Sequence, residues 1–399
     1  MKELSFCYNK DHKFVKAFNK AAERGAVVLP QRVLQLIRDA GPISRAELAR
    51  QTGASKPTIS SVVQNLLAAG LINELGLAES DGGRRAVLVE FNARAGFVIG
   101  MDIGGTSARV ALADLQGKIL LVCRERTDQS SEAALITQLK RLQQKLCHEA
   151  KIAQKKLLHI GIGTPGVVDP KTRAIGYAPN LPVLEAPGFT KRLEDELGVP
   201  LSFYNDVNLA ALGEKAQGAG QVTDTFIFIG IGTGLGFGLI LGGALFEGSK
   251  GRAGEFGYLP VSVNQRATLE DTICGAALAR SHKEAGGSGD PQIAFAEAEA
   301  GVEPGISTIR VLTERLVWLF AALSTLLDPD KLILGGSIGR RCAPLLPELR
   351  VALGRSSPIV PELAISQLGD DAGLLGAVAI ALQKSEPLTE QLGGKEMAL

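Results

Sequence analysis

The sequence predicts an α/β protein in two parts. A winged helix-turn-helix occupies residues 1–92, a two-lobed body occupies 93–384, and a short flexible tail follows over 385–399. Three observations lead there. Apolar residues recur at helical spacing three times before residue 70, and an arginine-tipped hairpin follows. From Phe97 the pattern changes to short strands broken by glycines. That strand–glycine–strand unit then recurs, with Ile103 and Gly104 answered by Ile231 and Gly232.

In the head, QRVLQLIRDA over residues 31–40 places Val33, Leu34 and Ile37 on one helical face, and Gly41-Pro42 stops the helix. Ser44 with Glu47 three residues later predicts a capping box for a second helix, which runs to about Thr52 and ends at Gly53. Ser55 caps a third helix, with Pro57 tolerated in its first turn. Ile59, Val62, Val63, Leu66 and Leu67 form its apolar stripe. The opposite face carries Lys56, Thr58, Ser60, Ser61, Gln64 and Asn65, short donors and acceptors without acidic charge. A helix lying in a DNA major groove needs such a face. Ser55, Lys56, Thr58, Ser60, Ser61 and Gln64 are therefore the predicted DNA contacts of this helix. Strands over Leu71–Glu79 and Ala86–Phe91 flank the tip SDGGRR, where Arg84 and Arg85 would reach the adjacent DNA backbone or minor groove. A three-helix packing domain with a solvated face explains the helices but not the acid-free face or the arginine tip.

Bulk properties agree. The 399 residues are 45% apolar and 21% charged, as in a soluble globular protein. Residues 1–92 hold 13 Lys/Arg against 9 Asp/Glu, and the remainder 30 against 33, so a mildly basic head precedes a mildly acidic body. The five cysteines are scattered, without a CxxC pair, as expected of a reduced cytoplasmic protein. No apolar run approaches the roughly 20 residues that span a bilayer, and the charged N-terminus has no signal core, so neither membrane insertion nor export is expected.

In the body, FVIGMDIGGTSARVALADLQGKIL reads as strand, glycine turn, strand, tight turn, strand, and FIFIGIGTGLGFGLILGGALF repeats it. Duplication predicts two α/β lobes facing each other across a cleft. Each lobe offers a glycine turn whose backbone N–H groups can converge on phosphate oxygens. The Walker pattern GxxxxGK[ST] is absent.

The segments SRAELARQTGASKPTIS, GGRR, DIGGT, GIGTPGVVD, PN, NDVNLAALGE, GTGLG, GEFG, TLE and LGGSIG, in this order and spacing, resemble the ROK family of bacterial repressors and sugar kinases from about Gln31 to Leu382. The resemblance implies an actin-like, hexokinase-like fold with sugar at the cleft floor and ATP above it, assembled as a homodimer or homotetramer. It assigns Asp102 to metal and phosphates. Gly104, Gly105 and Thr106 would form the first phosphate turn, Gly232, Thr233 and Gly234 the second, and Gly335 and Gly336 would lie near the adenosine. Asn180, Asn205, Asp206, Glu255 and Glu270 would bind sugar hydroxyls, with Asp206 also the catalytic base. Carboxylates and amides suit hydroxyls because they accept and donate in fixed directions. Read without the resemblance, Asp206 could simply cap the helix that follows it.

One segment departs from the family. A histidine normally follows GExG and a cysteine-rich stretch follows that, together holding zinc. Here Tyr258 stands at the histidine position, offering the sugar one hydroxyl, and LPVSVNQRATLE has no cysteine. Cys274 alone cannot replace three thiolates, so no zinc is expected. The expected function is a sugar-responsive repressor of carbohydrate-utilisation genes that binds operator DNA without a cofactor. The rival is a sugar kinase with a DNA-binding head, which would need ATP and magnesium. The groups assigned to the sugar include no Arg or Lys, which favours an unphosphorylated monosaccharide effector.

Overall fold

The computed structural model describes residues 29–77, 86–261 and 267–394. The chain divides into two compact units. One comprises Met1–Gly96 with Asp114–Lys118 and Glu386–Leu399, and the other comprises Phe97–Ala113 and Ile119–Ser385. The division falls at Gly96, slightly beyond the boundary at residue 92 that composition suggested.

The first unit contains α1 (Leu29–Ala40), β1 (Ile43–Ser44), α2 (Arg45–Thr52), α3 (Lys56–Ala68), β2 (Ile72–Leu77) and β3 (Val87–Phe91), with strand order β1-β3-β2. The predicted stripe buries as a unit: Val33, Ile37, Leu48, Ile59 and Val63 are fully enclosed, while Leu67 is only half-buried. Gly53 ends α2 at φ 73°, a left-handed conformation that glycine adopts without a Cβ penalty. The capping box forms only by half. Ser44 Oγ accepts the Glu47 N–H at 3.2 Å, but the Glu47 carboxylate turns to Arg50 and Gln51 at 2.6–2.8 Å. Ser44 is also part of a β-bridge to Leu88, which ties its backbone to the wing instead of to the helix.

The second unit begins with β4 (Phe97–Ile103), β5 (Ser107–Asp114), β6 (Ile119–Arg126), α4 (Glu132–Glu149), β7 (Leu157–Thr164), the short pair β8 (Val167–Val168) and β9 (Ile175–Gly176), α5 (Phe189–Leu197), β10 (Leu201–Asn205) and α6 (Asp206–Gln217). Its second half contains β11 (Phe226–Ile231), β12 (Leu235–Leu241), β13 (Ala244–Leu245), α7 (Glu270–Ile273), α8 (Gly275–Glu284), α9 (Pro291–Glu299), α10 (Gly305–Leu327), β14 (Lys331–Gly335), α11 (Gly336–Gly339), α12 (Leu346–Ser356), β15 (Glu362–Ile365) and α13 (Ala372–Gly394).

The predicted duplication is present in the topology. One sheet runs β10-β7-β4-β5-β6, the other β15-β14-β11-β12-β13, so each strand of one lobe has its counterpart in the other. In both, the first strand pairs in parallel with the fourth along the chain (β4 with β7, β11 with β14), and antiparallel strands complete the other side. Each lobe has its own core: Ile99, Met101, Val110, Leu139 and Ile162 in one, Ile229, Leu316, Phe320 and Leu334 in the other.

Helices α6 and α13 cross between the lobes at backbone distance. A Cβ on Gly376 would lie 1.8 Å from the Leu209 carbonyl oxygen, so only glycine permits the crossing. The α13 helix continues to Gly394, so residues 385–394 of the expected tail are helical.

Candidate functional site

The cleft floor is built where strands end and helices begin. Asp102 lies near the end of β4, and Asp206 is the first residue of α6. A Cβ on Gly373, in the first turn of α13, would sit 3.5 Å from Asp102 Oδ2 and 3.6 Å from the Asp206 carbonyl oxygen. The Asp206 carboxyl is pushed up to about 7, first by removal from water, then by the negative charge of Asp102, with Glu255 adding. The N–H of Val207 donates to it at 2.8 Å.

The helix-cap role falls to Asn205 instead of Asp206. Asn205 Oδ1 accepts the N–H groups of Val207 (2.9 Å) and Asn208 (3.3 Å), and its amide donates to the Gly166 carbonyl at 2.9 Å. One amide hydrogen remains for a ligand. The Asn205 side chain is thus largely committed to backbone groups, whereas Asp206 accepts the Val207 N–H.

Arg109 is the functional residue that sequence reasoning missed. From β5 its guanidinium donates to Asp102 Oδ2 and, at 3.2 Å, to Asp371 Oδ1 just before α13. The signal was available: a cation seven residues after Asp102, one turn-and-strand away, returns to the same end of the sheet. This donor set fits a divalent ion at Asp102 poorly, because Arg109 already takes Oδ2 and sets a like charge beside the carboxylate.

The other predicted sugar ligands gather at the far wall. Burial raises the Glu255 carboxyl, with the charge of Glu270 adding, and raises the Tyr258 phenol, with Glu255 and Glu270 adding, so the three form one cluster. Glu270 Oε2 accepts the Leu235 N–H at 2.8 Å, directly over the second glycine turn. Tyr258 is 59% exposed, free to meet a ligand. Asn180 is exposed and abuts the first turn: a Cβ on Gly105 would lie 2.5 Å from its carbonyl oxygen. Thr106 is exposed beside it, while the Gly104 N–H is taken by the Ser107 carbonyl at 3.0 Å. Among the described residues no group of three or more His, Cys, Asp or Glu could hold a metal. Cys274 is buried and does not fit a zinc site.

In the second lobe, Gly232, Thr233, Gly275, Gln292, Phe295 and Ser337 are among the residues lining a cavity of about 340 Å³, large enough for a nucleoside. Gly234 lies instead beneath Glu270. Gly335 and Gly336 also do not line the cavity. A Cβ on Gly335 would strike the Phe228 ring, and Gly336, at φ +76°, would strike the Ile231 carbonyl. Ser337 and Ile338 take the lining role.

In the head, Lys56, Thr58, Ser61 and Gln64 are exposed along α3, and Ser60 is half-buried. Ser55 is the helix cap, bonded to Thr58 Oγ1 at 2.7 Å and to its N–H at 3.3 Å. Arg84 and Arg85 lie outside the described residues.

Fold and cleft together define a sugar-kinase-like body carried behind a winged-helix head. The chain belongs to the ROK family, whose model matches residues 98–384, while residues 32–86 match the MarR family model. A xylose repressor of Bacillus spizizenii is 30% identical over 94% of this chain and 97% of its own. A solved ROK family transcriptional regulator, a homologue of the E. coli MLC protein, superposes with a TM-score of 0.75, at 23% identity over 96% of this chain and all of that one. The ROK hexokinase of Thermus thermophilus superposes at 0.64 and 27% identity, over 73% of this chain and 99% of the hexokinase. That chain thus matches the body without the head.

Proposed function

We propose that the chain is a sugar-responsive transcriptional repressor of carbohydrate-utilisation genes, acting in the cytoplasm as a homodimer or homotetramer. The observation that carries the reading is the pairing of an exposed, acid-free α3 face with a cleft whose converging groups are carboxylates, a phenol and amides. Such groups suit neutral hydroxyls. Arg109, which meets Asp102 at the cleft floor, is paired with two carboxylates and so offers a phosphorylated sugar no unpaired charge. The relatives support the same reading, since a xylose repressor matches nearly end to end. No helix among the described residues is long and apolar enough to cross a membrane.

Effector binding would draw on Asp206, Glu255, Glu270, Tyr258 and Asn180, with Asn205 secondary. Sugar in the cleft stabilises one arrangement of the lobes, and the coupling free energy between sugar and DNA follows from the difference in DNA affinity of the two arrangements. The test is a mobility-shift titration of operator DNA against a panel of monosaccharides and N-acetyl sugars. Release by at least one neutral sugar supports the reading.

A second reading, sugar kinase, draws on Asp206. A carboxyl near neutrality at the cleft floor can take a proton from a sugar hydroxyl. The Arg109 clamp on Asp102 weighs against it, and assay of ADP release over the same panel separates the two.

A further inference from the structure

The first glycine turn carries a cation of its own. Arg109 rises from β5 with its side chain 18% exposed and bridges two carboxylates from different parts of the chain, Asp102 on β4 and Asp371 ahead of α13. Both ends of the bridge are held in place. Asp370, next to Asp371, is paired with Arg340 at 2.6 Å. The segment leading there is tied to the fully buried Glu214, which accepts Ser366 Oγ at 2.5 Å and the Leu368 N–H at 3.1 Å. Guanidinium presents fixed donors in a planar fork, and here that fork is engaged on both sides.

A magnesium ion at a phosphoryl-transfer site is held by one or two carboxylates, waters and phosphate oxygens. Here a guanidinium takes Asp102 Oδ2 and Asp371 Oδ1 and puts a fixed positive charge beside them, so a divalent ion on Asp102 would meet a like charge at its edge. At the second turn the Glu270 carboxylate occupies the Leu235 N–H and sets a negative charge beside Gly234, which disfavours an anion there.

We propose that Arg109 is a built-in cation standing in place of a divalent metal at the first glycine turn, so that this cleft binds its ligand without metal and without transferring a phosphoryl group. The clamp gives Asp102 a fixed counter-charge on the cleft floor it shares with Asp206. It also fixes the start of α13, the helix that crosses α6 beneath the site. The proposal extends the repressor reading but is tested without sugar or DNA, so the failure of one is distinguishable from the failure of the other.

The experiment is manganese binding to the full chain, followed by the paramagnetic resonance of free manganese and by calorimetry. Wild type should show no saturable site at millimolar metal. Arg109→Ala and Arg109→Gln should each gain one site, with affinity rising by about tenfold or more once the like charge is removed. Adding Asp102→Asn should abolish that site. Circular dichroism establishes that the variants are folded, and the wild-type measurement stands whether or not they are. The proposal is overturned if wild type binds manganese saturably and Asp102→Asn removes it. It is equally overturned if the folded Arg109 variants bind no better than wild type.

Discussion

The Glu270 carboxylate accepts the Leu235 N–H at 2.8 Å, so a residue expected to face only the sugar closes over the second glycine turn. Sugar side and phosphate side of the cleft are thereby joined through one side chain. A Cβ on Gly234 would come within 2.8 Å of the same carboxylate oxygen, the end of a flexible chain that can move aside. Gly234→Ala should therefore fold with little change in melting temperature while displacing Glu270. Sugar affinity, measured by calorimetry, should drop about tenfold or more, as for loss of one hydrogen bond to a charged group, about 1.5–3 kcal/mol. Unchanged affinity would remove Glu270 from the site.

Asp206 should make stability depend on pH in a defined direction. Its carboxyl titrates near 3.8 when unperturbed and is pushed up to about 7 in the fold. Between those values the folded chain holds a proton that the unfolded chain releases. The contribution of this group is complete below the lower value and is lost as pH rises through the upper one. Asp206→Asn has no proton to lose. The variant should melt a few degrees above wild type on the alkaline side of 7, with the gap closing toward acid. A gap that widens toward acid would contradict the shift.

On α3, Lys56→Ala should weaken binding to all DNA sequences alike and reduce the slope of log affinity against log salt by about 1. Ser61 and Gln64 are exposed on the same helix, so their replacement should change sequence preference with little effect on the salt slope. Arg84→Ala with Arg85→Ala should act like Lys56→Ala. Competition binding with varied operators distinguishes the two outcomes, and a double arginine variant that behaves as wild type removes the wing from the interface.

Gly376→Ala places a methyl group 1.8 Å from the Leu209 carbonyl, a backbone atom that cannot step aside. Overpacking of this kind costs about 1–3 kcal/mol or more. Thermal melting should show a loss confined to the body. An unperturbed melting profile would mean that α6 and α13 do not cross this closely.

Much of this was legible in the sequence because it is local or periodic. The caps Ser44 and Ser55, the stop at Gly53 and the stripe from Ile59 to Leu66 follow from spacing alone. The repeat of Ile103-Gly104 at Ile231-Gly232 revealed two lobes with matching strand order. What escaped were contacts between distant segments. Arg109 meets Asp371 across 262 positions, and Glu270 meets Leu235 across 35, neither of which leaves a periodic trace. The cap is Asn205 and not Asp206 because an Asn-Asp pair at a helix start offers two caps, and only the backbone decides which one is used. At Gly335 and Gly336 the missing side chains make room for Phe228 and Ile231, a packing demand that the sequence does not display.

The central claim is that sugar in the Asp206 cleft controls the DNA-binding head. Operator release by sugar, measured in parallel on wild type and Asp206→Asn, tests it most directly. The account predicts that a neutral sugar releases wild type, that the variant needs about tenfold or more sugar for the same release, and that neither produces ADP. Equal sensitivity of the two proteins, or operator binding indifferent to every sugar, would contradict it.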